Sequence, residues 1–257
     1  MRTLRLALRQ VRYVNLAFWR NPASAFFTFA FPLLFLVIFT SLLGSGTVPI
    51  GGVPIDLGRY YVAAMSAFSV VSACFTNIAV SVTFQRDAGV LKRLRGTPLP
   101  AAAYLGARVL HALLVGLLLV AITAGFGVLV VDAGVPVGME ALRYVGVVVI
   151  GAGAFAALGL ATTSIVPNAD AAPAVVNAIV LPLLFLSGIF VPIGDDAPTW
   201  VRLVGDVFPV RHFAEAMRAA FYGAPFDLRV SDLAVVAGWG VAGLVIAARR
   251  FAWEPRR

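Results

Sequence analysis

One lysine, one cysteine and two histidines are all that 257 residues hold of those three types. Each scarcity excludes a chemistry. A single cysteine, Cys74, forms no internal disulfide. With it, the widely separated His111 and His212 offer no metal-ligand spacing. The lone lysine, Lys92, follows Leu91 and precedes Arg93, so the chain has no Gly-Lys-Ser/Thr turn with which a P-loop would cradle phosphate. Charge is also thin, at 12% of residues, where a soluble domain carries about 25%. No internal repeat or low-complexity tract is evident.

What fills the chain instead is apolar: 61% of residues are hydrophobic and the mean hydropathy is +0.94. The clearest run, Phe26–Gly44, is nineteen residues without a charge. As a helix at about 1.5 Å per residue it spans roughly 28 Å, close to the ~30 Å hydrocarbon core of a bilayer. Five further runs lie at Tyr60–Phe84, Tyr104–Val131, Leu142–Val166, Ala171–Ile193 and Leu233–Ala248. Backbone polar groups in lipid must be satisfied within the chain, which favours helices, and the runs exceed the ~10 residues of a barrel strand. The expectation is an all-α integral membrane protein with six transmembrane helices, forming one domain over residues 1–257.

The formal net charge of +8 is segregated and does not read as a nucleic-acid surface. Arg2, Arg5, Arg9, Arg12 and Arg20 precede the first run; Arg86, Lys92, Arg93 and Arg95 follow the second; Arg249, Arg250, Arg256 and Arg257 follow the last. Positive residues in short connections stay in the cytoplasm, which puts both termini and Gln85–Ala103 there. The longest outer connection, Pro192–Asp232, is balanced: Arg202, Arg211, Arg218 and Arg229 against Asp195, Asp196, Asp206, Glu215, Asp227 and Asp232. Nineteen arginines against one lysine point to a GC-rich prokaryotic genome, hence to a plasma (inner) membrane. A cleaved signal peptide is the rival reading of the first run, whose apolar core and basic leader are both longer than usual for one.

Before the first span, Leu4, Ala7, Leu8, Val11, Val14 and Phe18 share one helical face and Arg5, Arg9 and Arg12 an adjacent arc. This is the pattern of a basic helix lying along the membrane surface over residues 1–22, closed by Asn21-Pro22; the arginines also serve as an orientation signal. The 85–100 segment is short and charged, with Val90, Leu91 and Leu94 available for contacts and Gly96, Pro98 and Pro100 as a stop, so it reads as one or two helical turns under the membrane.

Three stretches together resemble the membrane subunits of ABC-2-type permeases, the exporter family that includes the daunorubicin-resistance permeases. They are Phe18-Trp19-Arg20-Asn21-Pro22 leading into Phe29-Ala30-Phe31-Pro32-Leu33; Arg86–Pro100, especially Gly89-Val90-Leu91-Lys92-Arg93-Leu94; and Leu181-Pro182-Leu183 through Ser187-Gly188-Ile189-Phe190-Val191-Pro192, with Pro198-Thr199-Trp200 and Phe208-Pro209-Val210. One departure is that the family segment often carries an acid near Lys92-Arg93, whereas here it is basic after Asp87.

The resemblance implies a subunit that pairs with a second permease copy, identical or related, and docks two cytoplasmic ABC ATPase subunits, which bind ATP and Mg. It implies an amino-terminal interfacial helix, a coupling helix that places Arg86, Asp87, Gly89, Leu91, Lys92 and Arg93 in the ATPase groove, and re-entrant helices within 194–231, at Ala197–Val207 and Val210–Tyr222. The implied activity is export of a drug or lipid-like cargo, this chain itself being no ATPase.

Polar residues inside the spans are candidates for lining a route. Ser69, Ser72, Thr76 and Thr83 fall within an arc of about 60° on an ideal helix, with Ser66, Asn77 and Ser81 nearby, and Asn177 lies in the fifth span. Hydroxyls also bond to their own backbone or to neighbouring helices. Arg108 lies near a cytoplasmic end, where it can snorkel. A path with so little fixed charge suits a hydrophobic or amphipathic cargo. The alternative is a proton-coupled secondary transporter working without an ATPase, for which His111 is the one intramembrane relay group. Phe185-Leu186-Ser187-Gly188 lacks the first glycine of the Gly-x-Ser-Gly turn of intramembrane serine proteases.

Overall fold

A computed structural model describes residues 2–43, 46–50, 53–194, 197–223 and 226–254. Helix α1 (Arg2–Trp19) leads through Arg20 and Asn21 into α2 (Pro22–Leu43). Strands β1 (Thr47–Ile50) and β2 (Val53–Asp56) precede α3 (Leu57–Val71), a π-helical turn (Ser72–Thr76) and α4 (Asn77–Asp87), which together form one 31-residue rod. Then come α5 (Val90–Arg95), α6 (Ala101–Val131), α7 (Met139–Thr162), α8 (Ala172–Phe185), α9 (Thr199–Val207), α10 (Pro209–Tyr222) and α11 (Val230–Arg250).

Five of these units are long and apolar enough to cross a membrane: α2, the α3–α4 rod, α6, α7 and α11. The expected fifth span, Ala171–Ile193, is helical only over fourteen residues of α8, about 21 Å and short of the ~30 Å core. Pro182 withdraws one backbone donor from its last turns, Ser187 Oγ donates to the Leu184 carbonyl, and Gly188 takes φ +75°, a left-handed value that suits glycine. The segment nevertheless runs beside the whole rod. At one end the Ala169 N–H donates to Asp87; at the other, Tyr60 Oη donates to the Gly188 carbonyl and Tyr61 Oη to that of Phe190.

The connection after α2 departs from all-α. Thr47 pairs with Asp56 and Val48 with Ile55 in an antiparallel hairpin, and Pro49 opposes Pro54. Asp56 then caps α3, accepting from the N–H groups of Gly58 and Arg59 at 2.8 and 3.2 Å.

The core sits around the rod. From Tyr60 to Val71 only Phe68 is more than marginally exposed, whereas α2 turns Phe26, Phe27, Phe31, Leu34 and Val37 outward. Helix α1 seats Val14 and Phe18 in the protein and leaves Arg5, Arg9 and Arg12 exposed. The small residues of α7 and α11 face each other: a side chain on Gly240 would lie 2.9 Å from the Ala154 Cα, and one on Gly243 equally close to the Leu158 nitrogen. Likewise α7 meets the π turn at Gly159, where a Cβ would lie 2.7 Å from the Phe75 carbonyl.

Candidate functional site

The 85–100 segment is built on a buried cation. Arg86 is 1% exposed. Its Nη1 donates to the Thr163 carbonyl at 2.9 Å, Nη2 to those of Val166 and Pro167 at 3.0 Å each, and Nε to Asp87 Oδ1 at 3.0 Å. These carbonyls lie just beyond α7, where a helix end leaves acceptors unpaired. Asp87 in turn accepts from the Ala169 N–H. The α7–α8 turn is therefore tied to the residues that lead into α5.

The chain then reverses at Gly89, with φ +70°, and forms α5. Leu91 is fully buried, while Lys92, Arg93 and Arg95 are exposed. Of the six residues of the implied coupling set, Arg86 and Leu91 are buried within this subunit, Lys92 and Arg93 are exposed, and Asp87 and Gly89 are half-buried.

On the second span a π turn interrupts the polar arc drawn for an ideal helix. The π turn, in which the Asn77 N–H reaches the Ser72 carbonyl, inserts a residue and rotates the rest of the rod by about 100°. Ser69 is buried and bonds the Met65 carbonyl and Thr123 Oγ1. Thr83 is spent on the Ala79 carbonyl. Ser72, Thr76 and Asn77 are half-buried around the π turn, and Asn177 lies on the exposed face of α8.

Beside Asn77 the structure gathers residues that the spacing kept apart. Arg108 does not snorkel into water: it is 7% exposed. Its Nε donates to Tyr104 Oη at 3.2 Å, its guanidinium lies over the Tyr104 ring, and Tyr104 donates to Gln85 at 3.1 Å. Among the described residues no carboxylate comes within 4.0 Å of Arg108. His111, 8% exposed, packs edge-on against Phe18 and leaves Nε2 buried without a partner among those residues.

At the other end of the rod a cavity of about 620 Å³ opens among the hairpin, α10 and the start of α11, lined by Tyr60, Arg211, Glu215, Arg218, Tyr222 and Asp232 among others. Arg211 pairs with Asp206 at 3.2 Å and Glu215 at 2.9 Å, and Arg218 donates long bonds to Tyr60 Oη and the Gly188 carbonyl. His212 joins three helices, with Nδ1 2.7 Å from Asp232 Oδ1 and Nε2 2.9 Å from the Asp206 carbonyl. Both partners are acceptors, so only the doubly protonated ring satisfies both. Burial opposes that charge, but the Asp206 carbonyl and the Asp232 carboxylate outweigh it and hold the pKa above the ordinary histidine value. The balanced charges of this connection were visible in the sequence; their pairing was not. Ser187 has neither histidine hydrogen-bonded to it, its hydroxyl being spent on Leu184.

An apolar bundle with five helices long enough to cross a membrane, a charged, exposed helical turn at one end and a polar cavity at the other is the architecture of a multi-pass membrane protein. The ABC-2 type transporter family profile matches residues 8–222, and the chain belongs to that family as a permease. It is 26% identical over 223 residues to the inner membrane transport permease YadH of Escherichia coli K12, covering 84% of this chain and 79% of the relative. The same figures hold for the YadH permeases of Escherichia coli O157:H7 and Shigella flexneri.

Proposed function

We propose that this chain is the membrane subunit of an ATP-driven exporter that moves a hydrophobic or amphipathic cargo, drug or lipid-like, out of the cytoplasm or its facing leaflet. It resides in a prokaryotic inner membrane with both termini inside, pairs with a second permease copy, and receives its energy from cytoplasmic ABC ATPase subunits that bind ATP and Mg. The observation that carries the reading is the handle. Short, basic α5 presents Lys92 and Arg93 outward while Leu91, Arg86 and Asp87 tie it to the ends of α4, α7 and α8. A push on α5 would therefore shift two long helices and the 163–190 segment beside them, which is what alternating access requires.

The 169–190 segment is read as the sixth crossing, part helix and part extended, since it touches the rod at Asp87 and again at Tyr60 and Tyr61. Helices α9 and α10, too short to cross, dip back from the outer surface.

The test is reconstitution. Co-expression with a cytoplasmic ABC ATPase subunit from the same genome should yield a complex that hydrolyses ATP and moves a fluorescent amphipath only when ATP is present. Transport by the purified permease alone, driven by a proton gradient, would overturn the reading.

A further inference from the structure

We propose that Arg108, His111 and Asn77 form a site for the anionic phosphate headgroup of a lipid in the cytoplasmic leaflet, covered in this structure by Phe18 of α1. The proposal does not depend on the ATPase reading, because it concerns what the permease binds by itself.

Three side chains with unspent hydrogen-bonding capacity converge there. Arg108 has five N–H donors and uses only Nε on a protein acceptor. His111 Nε2 has no partner among the described residues. The Asn77 amide makes no side-chain hydrogen bond among them and stands where the π turn ends. All three line one void with Phe18, Ala73, Ile78, Ala112 and Val115, otherwise an apolar wall. A cation in a transmembrane helix is costly unless paired, and an orphaned buried nitrogen adds to the cost. A phosphate oxyanion would satisfy the guanidinium and accept from the imidazole and the amide together.

Depth selects the source of that phosphate. Helix α6 has 31 residues, about 46 Å, matching the full ~40–45 Å bilayer with its headgroups. Arg108 lies seven residues from the start at Ala101, about 10 Å in, near the boundary between headgroups and acyl chains. The exposed Arg5, Arg9 and Arg12 of α1 would concentrate anionic lipid alongside. The void is about 10 Å³, room for no more than a water, so α1 must swing Phe18 away before a headgroup enters. Phe18 is thus the cover, its ring centroid 5.5 Å from that of His111.

The purified full chain is mixed with detergent-solubilised phosphatidylglycerol, phosphatidylcholine or inorganic phosphate, and retained ligand is counted by native mass spectrometry. Phosphatidylglycerol should bind in preference to the other two. Arg108→Gln should weaken it roughly tenfold or more, the value of a charge-assisted bond. Asn77→Leu should weaken it less, Phe18→Ala should tighten it by removing the cover, and Arg202→Gln, at an exposed position on α9, should leave that bound lipid in place. If Arg108→Gln does not fold, the opposite signs expected of Asn77→Leu and Phe18→Ala decide the matter. Equal retention of phosphatidylglycerol by wild type, Arg108→Gln and Asn77→Leu overturns the site. Binding of inorganic phosphate without phosphatidylglycerol overturns the lipid assignment.

Discussion

At Arg86, four hydrogen bonds of 2.9–3.0 Å leave a guanidinium in the protein interior with its charge spread over three carbonyls and one carboxylate. A lysine delivers a point charge and cannot span that fork. Arg86→Gln should therefore loosen the 163–169 turn, at a cost of about 1.5–3 kcal/mol per charged bond lost and not replaced. The expected readout is faster amide exchange confined to that turn and a lower Tm, with Arg86→Lys intermediate; unchanged exchange would remove Arg86 from its linking role. Gly89 is a second residue-level lever. Its left-handed φ of +70° costs a substituted residue about 1–2 kcal/mol, and open space surrounds it. Gly89→Glu should then insert into the membrane normally, while its complex with the ATPase subunits hydrolyses ATP without matching transport, measured as the ratio of cargo moved to ATP consumed. A wild-type ratio with the ATPase still docked counts against α5 as the coupling element.

Between elements, the junction of α9, α10 and α11 rests on one imidazole. His212 faces Asp206 from α9 and Asp232 from α11, with Arg211 and Glu215 on its own helix close by. Its pKa is raised in the folded state. The stabilisation is therefore complete below the unfolded value of about 6.5 and is lost as pH rises through the folded value. Amide exchange in α9 and α10 should accelerate on the alkaline side of neutrality, and His212→Gln should flatten that dependence; a pH-independent wild type would refute the clamp. How far such elements could be read from the chain varies with the signal. Long apolar runs made α2 and α6 plain, and the spacing of Val14 and Phe18 among arginines made α1 so. The hairpin is written in Val48-Pro49-Ile50-Gly51-Gly52-Val53-Pro54-Ile55, a β-branched repeat about a Gly-Gly pair, a signal that the long apolar runs on either side mask. The π turn was not legible: Ser72-Ala73-Cys74-Phe75-Thr76 contains no helix breaker, and its register shift arises in tertiary packing against Gly159 of α7. Gly159→Ala should accordingly destabilise by about 1–3 kcal/mol, as overpacking does, a loss visible in thermal unfolding. The Arg108 site was equally hidden, because only the docking of Phe18 onto α6 turns a residue placed to snorkel into a buried one.

For the molecule as a whole, the two ends of the α3–α4 rod differ in charge as well as in contacts. Exposed Arg5, Arg9, Arg12, Lys92, Arg93, Arg95, Arg249 and Arg250 meet few acids, Glu254 among them at 3.6 Å from Arg95. By contrast, the rim of the cavity mixes Arg211, Arg218 and Arg229 with Glu215, Asp227 and Asp232. Arginines in short connections favour retention in the cytoplasm, so in the proposed topology the basic end faces in and the cavity end out. Cys74 is buried, which leaves the wild type nearly silent to thiol reagents and makes single cysteines at exposed sites clean reporters. Lys92→Cys should react with a membrane-impermeant maleimide only after the cells are opened, whereas Thr47→Cys and Asp227→Cys, on the hairpin and the cavity rim, should react in intact cells. The reverse pattern would put α5 outside the cell, beyond the reach of any cytoplasmic ATPase, and would end the coupling reading together with the inner-leaflet placement of Arg108, because both depend on the same face of the bilayer.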